Sequence, residues 1–384
     1  RCQPMKVLHV APSIARSYGG PTQSLAGYAV AARNAGIDVS IAAPRCDYDD
    51  LNAFRRRAGG TRLHLFRAYG TGAFAASPSL VRWVSRAASA YDVVHIHGLF
   101  NPISTLSARA VLRSGTTVVI RPFGTLSRYT FRHRRTRLKN AYFSLVERRN
   151  VVEAAALHFT TDTERDSAGW HDMDIADRAH VVPPPWLGRD HRAKERPPFG
   201  GEVVVFLGRI APVKNIETLL DAWPSVSRSK PRGRLLIAGS GDRGYLRALE
   251  RRAHDLGILD SIEFRGFLSG EEKQSLLCSA SVLVLPSHHE NFGIAVLESL
   301  DAGVPVVVSA EVQLADFVRR HDVGKVVQST PAGLASAIID TLNDGTLGAR
   351  TREIGAEVVA KEFAPPIIGD LLSSMYHAAQ QRSR

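Results

Sequence analysis

The stretch Val282-Leu283-Val284-Leu285-Pro286-Ser287-His288-His289-Glu290-Asn291-Phe292-Gly293-Ile294-Ala295-Val296-Leu297-Glu298-Ser299-Leu300, followed by Ala302-Gly303-Val304-Pro305-Val306-Val307-Val308, decides the fold class. Its first apolar run is short and β-branched, which reads as a strand buried on both faces. A loop, a short helix and a second buried run follow. That order is one βαβ unit of a parallel sheet. Parallel α/β sheets bind ligands at the carboxyl ends of their strands, where the next helix begins. Glu290 stands in that loop, and Glu298 lies about two turns into the helix from Phe292. Helix N-termini carry unpaired amides and favour an anion.

Two glutamates eight residues apart are common by chance and read equally well as a solvated helix face. Here they stand in register with a strand, with Glu290-Asn291-Phe292-Gly293 and with Gly303-Val304-Pro305-Val306. Together these residues resemble the E-x7-E signature of the retaining glycosyltransferases of family 4. The resemblance implies the GT-B fold: two Rossmann-like, doubly wound parallel-sheet domains facing a cleft, with the C-terminal helix crossing back to the first domain. It also implies roles. Glu290 contacts the donor sugar, the amides of Asn291, Phe292, Gly293 and Ile294 reach the donor, and Glu298 holds the ribose hydroxyls.

The chain has 384 residues, too many for one ordinary core, so two domains are expected. We place them at 1–186 and 200–364, with a charged, proline-rich linker at 187–199 and a last helix within 365–384. No apolar run is long enough to span a membrane. No signal peptide is visible, and Cys2, Cys46 and Cys278 lack metal or redox spacing, which suits a reducing cytosol with Cys278 in the core. The net charge of +12 belongs to the first half: residues 1–190 carry 26 Lys/Arg against 14 Asp/Glu, and the rest carry 23 of each. The segment from Arg128 to Val151 is basic, with Tyr129, Phe131, Leu138, Tyr142, Phe143 and Leu145 interleaved. It suits an anionic, interfacial surface or an ordinary helix buried on one side. A nucleic-acid partner is suggested by charge alone and has no recognition motif behind it.

In order along the chain, Val7–Ala11 is a strand, Gly19-Gly20 a loop whose amides suit a phosphate, and Thr22–Ala35 a helix. The dinucleotide fingerprint G-x-G-x-x-G is absent. Asp92–Gly98 is a strand on which His95 and His97 share a face; they would make a metal pair, but no third ligand stands nearby. Thr161-Asp162-Thr163-Glu164 caps a helix. Asp172-Met173-Asp174 has a metal-binding spacing, but no strand delivers it, so it reads as a polar loop. In the second half, Val203–Leu207 is a strand, and Arg209 and Lys214 leave its end together, suited to neutralising a diphosphate. Gly239-Ser240-Gly241 permits a close approach at the next strand end. Pro365-Pro366 breaks the helical pattern.

The resemblance adds Gly19 and Gly20 to the donor diphosphate, Arg209 and Lys214 to the same group, His97 to the sugar, and Gly239, Gly266 and Phe267 to the nucleotide pocket. The catalytic set is then Glu290, His97, Arg209 and Lys214. The implied reaction moves a hexose from a UDP- or GDP-linked sugar to a glycan or polyprenyl-diphosphate-linked glycan, as in bacterial exopolysaccharide synthesis. No metal or other cofactor is required, because two cations serve the diphosphate. The expected location is the inner face of the cytoplasmic membrane, bound peripherally. Other chemistry on the same fold, such as epimerisation or hydrolysis of a nucleotide sugar, is the rival reading.

Overall fold

The computed structural model describes residues 3–70, 75–127, 130–131, 136–168, 173–188 and 201–383. The chain divides into two compact units, Arg1–Leu187 with Phe363–Arg384, and Gly188–Glu362.

The first unit holds seven parallel strands: β1 (Lys6–Val10), β2 (Asp38–Pro44), β3 (Arg62–Phe66), β4 (Val93–His97), β5 (Thr117–Arg121), β6 (Ala156–Phe159) and β7 (Ala179–Val181). Their order is β3-β2-β1-β4-β5-β6-β7. The central strands are buried along their whole length, as expected where helices cover both faces of a parallel sheet. The first helix, Gly20–Asn34, starts two residues earlier than its pattern suggests, with Pro21 in its first turn, where a missing N–H costs nothing. The last helix, Pro365–Ser383, packs along it. Gly369 permits the approach, since a Cβ there would lie 2.4 Å from the carbonyl oxygen of Ala31. The break expected at Pro365-Pro366 is where the helix Gly345–Phe363 has ended and this one opens, the fixed φ of Pro365 suiting a first turn.

The second unit holds β8 (Val203–Leu207), β9 (Arg234–Ala238), β10 (Ile262–Gly266), β11 (Val282–Leu285), β12 (Val306–Ser309) and β13 (Gly324–Val327), in the order β10-β9-β8-β11-β12-β13 and all parallel. The quoted βαβ stretch is β11, the helix Ile294–Asp301 and β12.

Several expectations change. The helix Tyr48–Arg57, capped by Asp47, and the edge strands β7 and β13 carry too few apolar residues to declare themselves in sequence. Of the basic segment, residues 128–129 and 132–135 lie outside the described residues. The remainder forms a helix with a π-helical stretch at Phe143–Glu147. Of its described residues, Phe131 and Phe143 are buried against Phe100, Tyr142 is half-buried, and Leu138 and Leu145 are exposed. Asp172 also lies outside the described residues, and its neighbour Met173 is buried in the core. Cys278 is half-buried rather than a core residue.

Candidate active site

In the second unit the predicted residues gather at the carboxyl ends of β8, β9 and β11. After β8 the chain makes a single 3-10 turn, Pro212–Lys214, and Asn215 takes a left-handed conformation before the helix Ile216–Ser229. The Asn215 side chain donates to the carbonyl of Pro286 (3.1 Å), and the His288 amide donates to Val213 O (2.9 Å). These bonds tie the β8 loop to the β11 loop. They set Lys214 in an ion pair with Glu290, both side chains largely buried. Lys214 is thus matched to a carboxylate. Arg209 is exposed and makes no ion pair to a described residue.

Gly293 caps the helix Ile294–Asp301 at φ 90°, a backbone conformation open to glycine at little cost. Phe292 is buried in the core, so this turn offers its backbone rather than the ring. Glu298 sits mid-helix, and its carboxylate accepts from Lys273 Nζ at 2.6 Å. Sequence reasoning missed Lys273. It stands on the helix Gly270–Ser279, and only tertiary packing brings that helix alongside Glu298.

The glycines at the end of β9 are required by the packing of the protein itself. A Cβ on Gly239 would lie 1.7 Å from Gly208 O, and one on Gly241 would lie 1.9 Å from Ile210 O. The close neighbour is the protein's own β8 loop. Gly266 (φ 67°) has open space beside it, its carbonyl accepts from the Gly239 amide at 2.7 Å, and Phe267 is exposed.

In the first unit, Gly19 (φ 72°) caps the first helix and Gly20 is its first residue. Because Pro21 has no N–H, Gly20 carries the amide available there. His97 ends β4 and is fully buried. The absence of a third imidazole near His95 and His97 holds only along the sequence. His9 on β1 lies opposite His95 in register, and one ring nitrogen from each of the three lies within 4.8 Å of the others. His158 on β6 joins them, 3.2 Å from His95. Burial, aided by the Arg121 guanidinium, pushes His9 down to about 3 and holds His95, His97 and His158 well below the usual histidine range. All four are neutral at pH 7.

Arg121, the last residue of β5 and the register partner of His97, is itself buried. Its guanidinium lies over the rings of Tyr28 (4.7 Å) and Phe123 (4.3 Å) and donates to Ser24 Oγ at 2.9 Å. Glu164 nearby is also buried. Its carboxylate accepts from the amides of Gly124 and Thr160 and from the Thr160 hydroxyl, so it braces the turn after β5, while the Thr161 hydroxyl accepts from the Glu164 amide.

Two family models cover most of the chain: "Glycosyl transferase 4-like domain" over residues 19–185 and "Glycosyl transferases group 1" over residues 189–358. The chain belongs to this glycosyltransferase family. An uncharacterized glycosyltransferase of Methanocaldococcus jannaschii is 37% identical over 146 residues, 37% of this chain and 36% of its own. The D-inositol 3-phosphate glycosyltransferase of Streptomyces avermitilis is 28% identical over 331 residues, 79% of this chain and 68% of its own. The chain spans less than half the length of the first curated relatives it matches. Among solved structures, Anabaena HepE in complex with UDP and glucose superposes with a TM-score of 0.71 at 18% identity, over 96% of this chain and 98% of that one. The fold is GT-B.

Proposed function

We propose that this family member transfers a hexose, with retention of anomeric configuration, from a nucleotide-diphosphate sugar to a hydroxyl of a glycan or lipid-linked glycan. The observation that supports this best is the pairing in the second unit. Two carboxylates of the E-x7-E spacing each come with a lysine: Glu290 with Lys214 in the loops after β11 and β8, where α/β sheets bind ligands, and Glu298 with Lys273 on the helices that follow and precede β11. Arg209 and Lys214 neutralise the diphosphate as the C1–O bond breaks. Glu290 and the Gly293 turn hold the sugar, and Glu298 accepts from the ribose hydroxyls. A donor phosphate oxygen takes the acceptor's proton on the front face. With two cations on the leaving group, catalysis needs no metal, and chelator leaves the rate unchanged. HepE was solved with UDP and glucose, which favours a uridine nucleotide donor.

The acceptor belongs to the first unit. The charge excess of residues 1–190 and the exposed Leu138 and Leu145 suit an anionic membrane surface carrying a polyprenyl-diphosphate-linked glycan, as in exopolysaccharide synthesis at the inner face of the cytoplasmic membrane. No helix among the described residues is long and apolar enough to cross a membrane.

A thermal-shift screen of nucleotide sugars, followed by nucleotide release in the presence of glycan acceptors and NMR of the product anomer, tests the reaction. Absence of stabilisation by any nucleotide diphosphate sugar refutes it, and an inverted anomer refutes retention. Anionic vesicles test the surface. Changing Arg132, Arg134, Arg135 and Arg137 together to Gln reduces sedimentation at low salt, and equal sedimentation refutes the membrane docking.

A further inference from the structure

Five hydrogen bonds in the first unit run head to tail, and they have one consistent direction. The carbonyl of Val182 can only accept, so His158 Nε2, at 2.7 Å, carries a proton. His158 is neutral, so its Nδ1 is a lone pair, and His95 Nε2 donates to it at 3.2 Å. His95 Nδ1 is then a lone pair and accepts from the Tyr376 hydroxyl at 2.9 Å. The Tyr376 oxygen accepts in turn from His9 Nε2 at 3.4 Å. His9 Nδ1 accepts from His97 Nε2 at 2.8 Å. This leaves His97 Nδ1 as a lone pair, buried and without a hydrogen-bond partner.

We propose that this chain of His158, His95, Tyr376 and His9 locks His97 in its Nε2–H tautomer, so that its Nδ1 lone pair accepts a hydroxyl proton of the bound sugar substrate. His97 touches the substrate; the other four are positioning residues. The identity of the hydroxyl rests on the glycosyl-transfer reading, but the tautomer does not.

Three observations carry the inference. A polar cluster that merely filled the core would close on itself, since buried polar groups are paired as a rule. This one is paired at every link and ends on an open acceptor. The open end is also at the right place: His97 and its register partner Arg121 end β4 and β5, where ligands of parallel sheets bind. Arg121 Nε is likewise buried without a partner, so these two strand ends carry one unmatched donor and one unmatched acceptor. The third is the charge balance. The three imidazoles of His9, His95 and His97 have metal-ligand proximity, but a divalent ion among them would sit beside the buried Arg121 guanidinium with no carboxylate in its shell. It would also displace the proton shared by His9 and His97. The groups facing the cluster are Arg121, Tyr28, Glu164 and His180; Glu164 is the carboxylate among them, and its oxygens are taken up by the Gly124 amide and by the amide and hydroxyl of Thr160.

The test is nitrogen NMR of the full chain with labelled histidine, on the parent and on Tyr376→Phe, alongside nucleotide release with the donor found in the screen. In the parent, all four histidines show a protonated Nε2 and a bare Nδ1. In Tyr376→Phe, His9 loses the acceptor that orients it, and His97 shows both tautomers. Turnover falls roughly threefold to tenfold, the range set by one lost hydrogen bond. A protonated Nδ1 on His97 in the parent overturns the proposal, as does one equivalent of zinc bound by the parent and lost in His9→Ala. A single unchanged His97 tautomer in Tyr376→Phe overturns it too, whether or not turnover drops. The expected tautomers in a chain that turns over no nucleotide sugar overturn the glycosyl-transfer reading and the hydroxyl assigned from it.

Discussion

Lowering the pH from 7 to 5 should destabilise the first unit steeply, and the size follows from its buried histidines. His9, with a folded pKa of about 3, binds no proton in the native state over this range, and burial moves His95, His97 and His158 in the same direction, well below 6.5. In the unfolded chain each titrates near 6.5. Between those values the unfolded state binds more protons, so stability is present in full above the unfolded pKa and is lost as pH falls below it. Each group contributes about 1.4 kcal/mol per pH unit once pH is well under 6.5. At pH 5 the loss is about 2 kcal/mol per histidine. That figure holds for His9, and His95, His97 and His158 add to it with the same sign, so the loss is a sizeable fraction of the stability of a domain. Glu164 acts in the opposite sense, because burial raises its folded pKa. It offsets at most one of the up to about four protons that the unfolded histidines bind by pH 5. Urea titrations monitored by first-unit histidine resonances, from pH 7 to pH 5, measure this slope. His9→Asn should lower it by about one proton. A slope below about two protons, or stability flat across the interval, would refute the argument that these rings are buried neutral.

Glu298→Gln keeps the shape of the side chain and removes its charge. Affinity for free nucleotide diphosphate should fall about tenfold, since a bond to a charged acceptor is worth about 1.5 kcal/mol more than a neutral one; unchanged affinity by calorimetry would show that Glu298 is not on the ribose. A double-mutant cycle of Glu298→Gln with Lys273→Met should give a coupling of about 2 kcal/mol, between exposed and fully buried pairs, because the side chains are 8% and 20% exposed. Gly239→Ala should lower the melting temperature of the second unit whether or not nucleotide is present, because the clash is with Gly208; a loss of affinity at unchanged melting temperature would return this glycine to the ligand. Arg209→Ala should reduce turnover at least tenfold with the melting temperature unchanged, and a variant that melts early while keeping its activity would make Arg209 structural.

By itself the sequence determined the parallel α/β class, the division into two units and the place of most strands along the chain. Buried parallel strands are continuous apolar runs, and the chemistry of a βα turn is local, so Glu290, Gly293 and Glu298 were legible within one βαβ unit. Partnerships were not. Lys214 lies 76 residues from Glu290, His9 88 residues from His97, and Tyr376 281 residues from His95. No periodicity or motif spans such distances; register and helix packing create them. The same holds for Gly239, whose neighbour proved to be the β8 loop. Tertiary structure also decided the charge state of the histidines, because a ring's protonation depends on burial and on the Arg121 guanidinium beside it, neither of which is a property of the residues next to it in the chain.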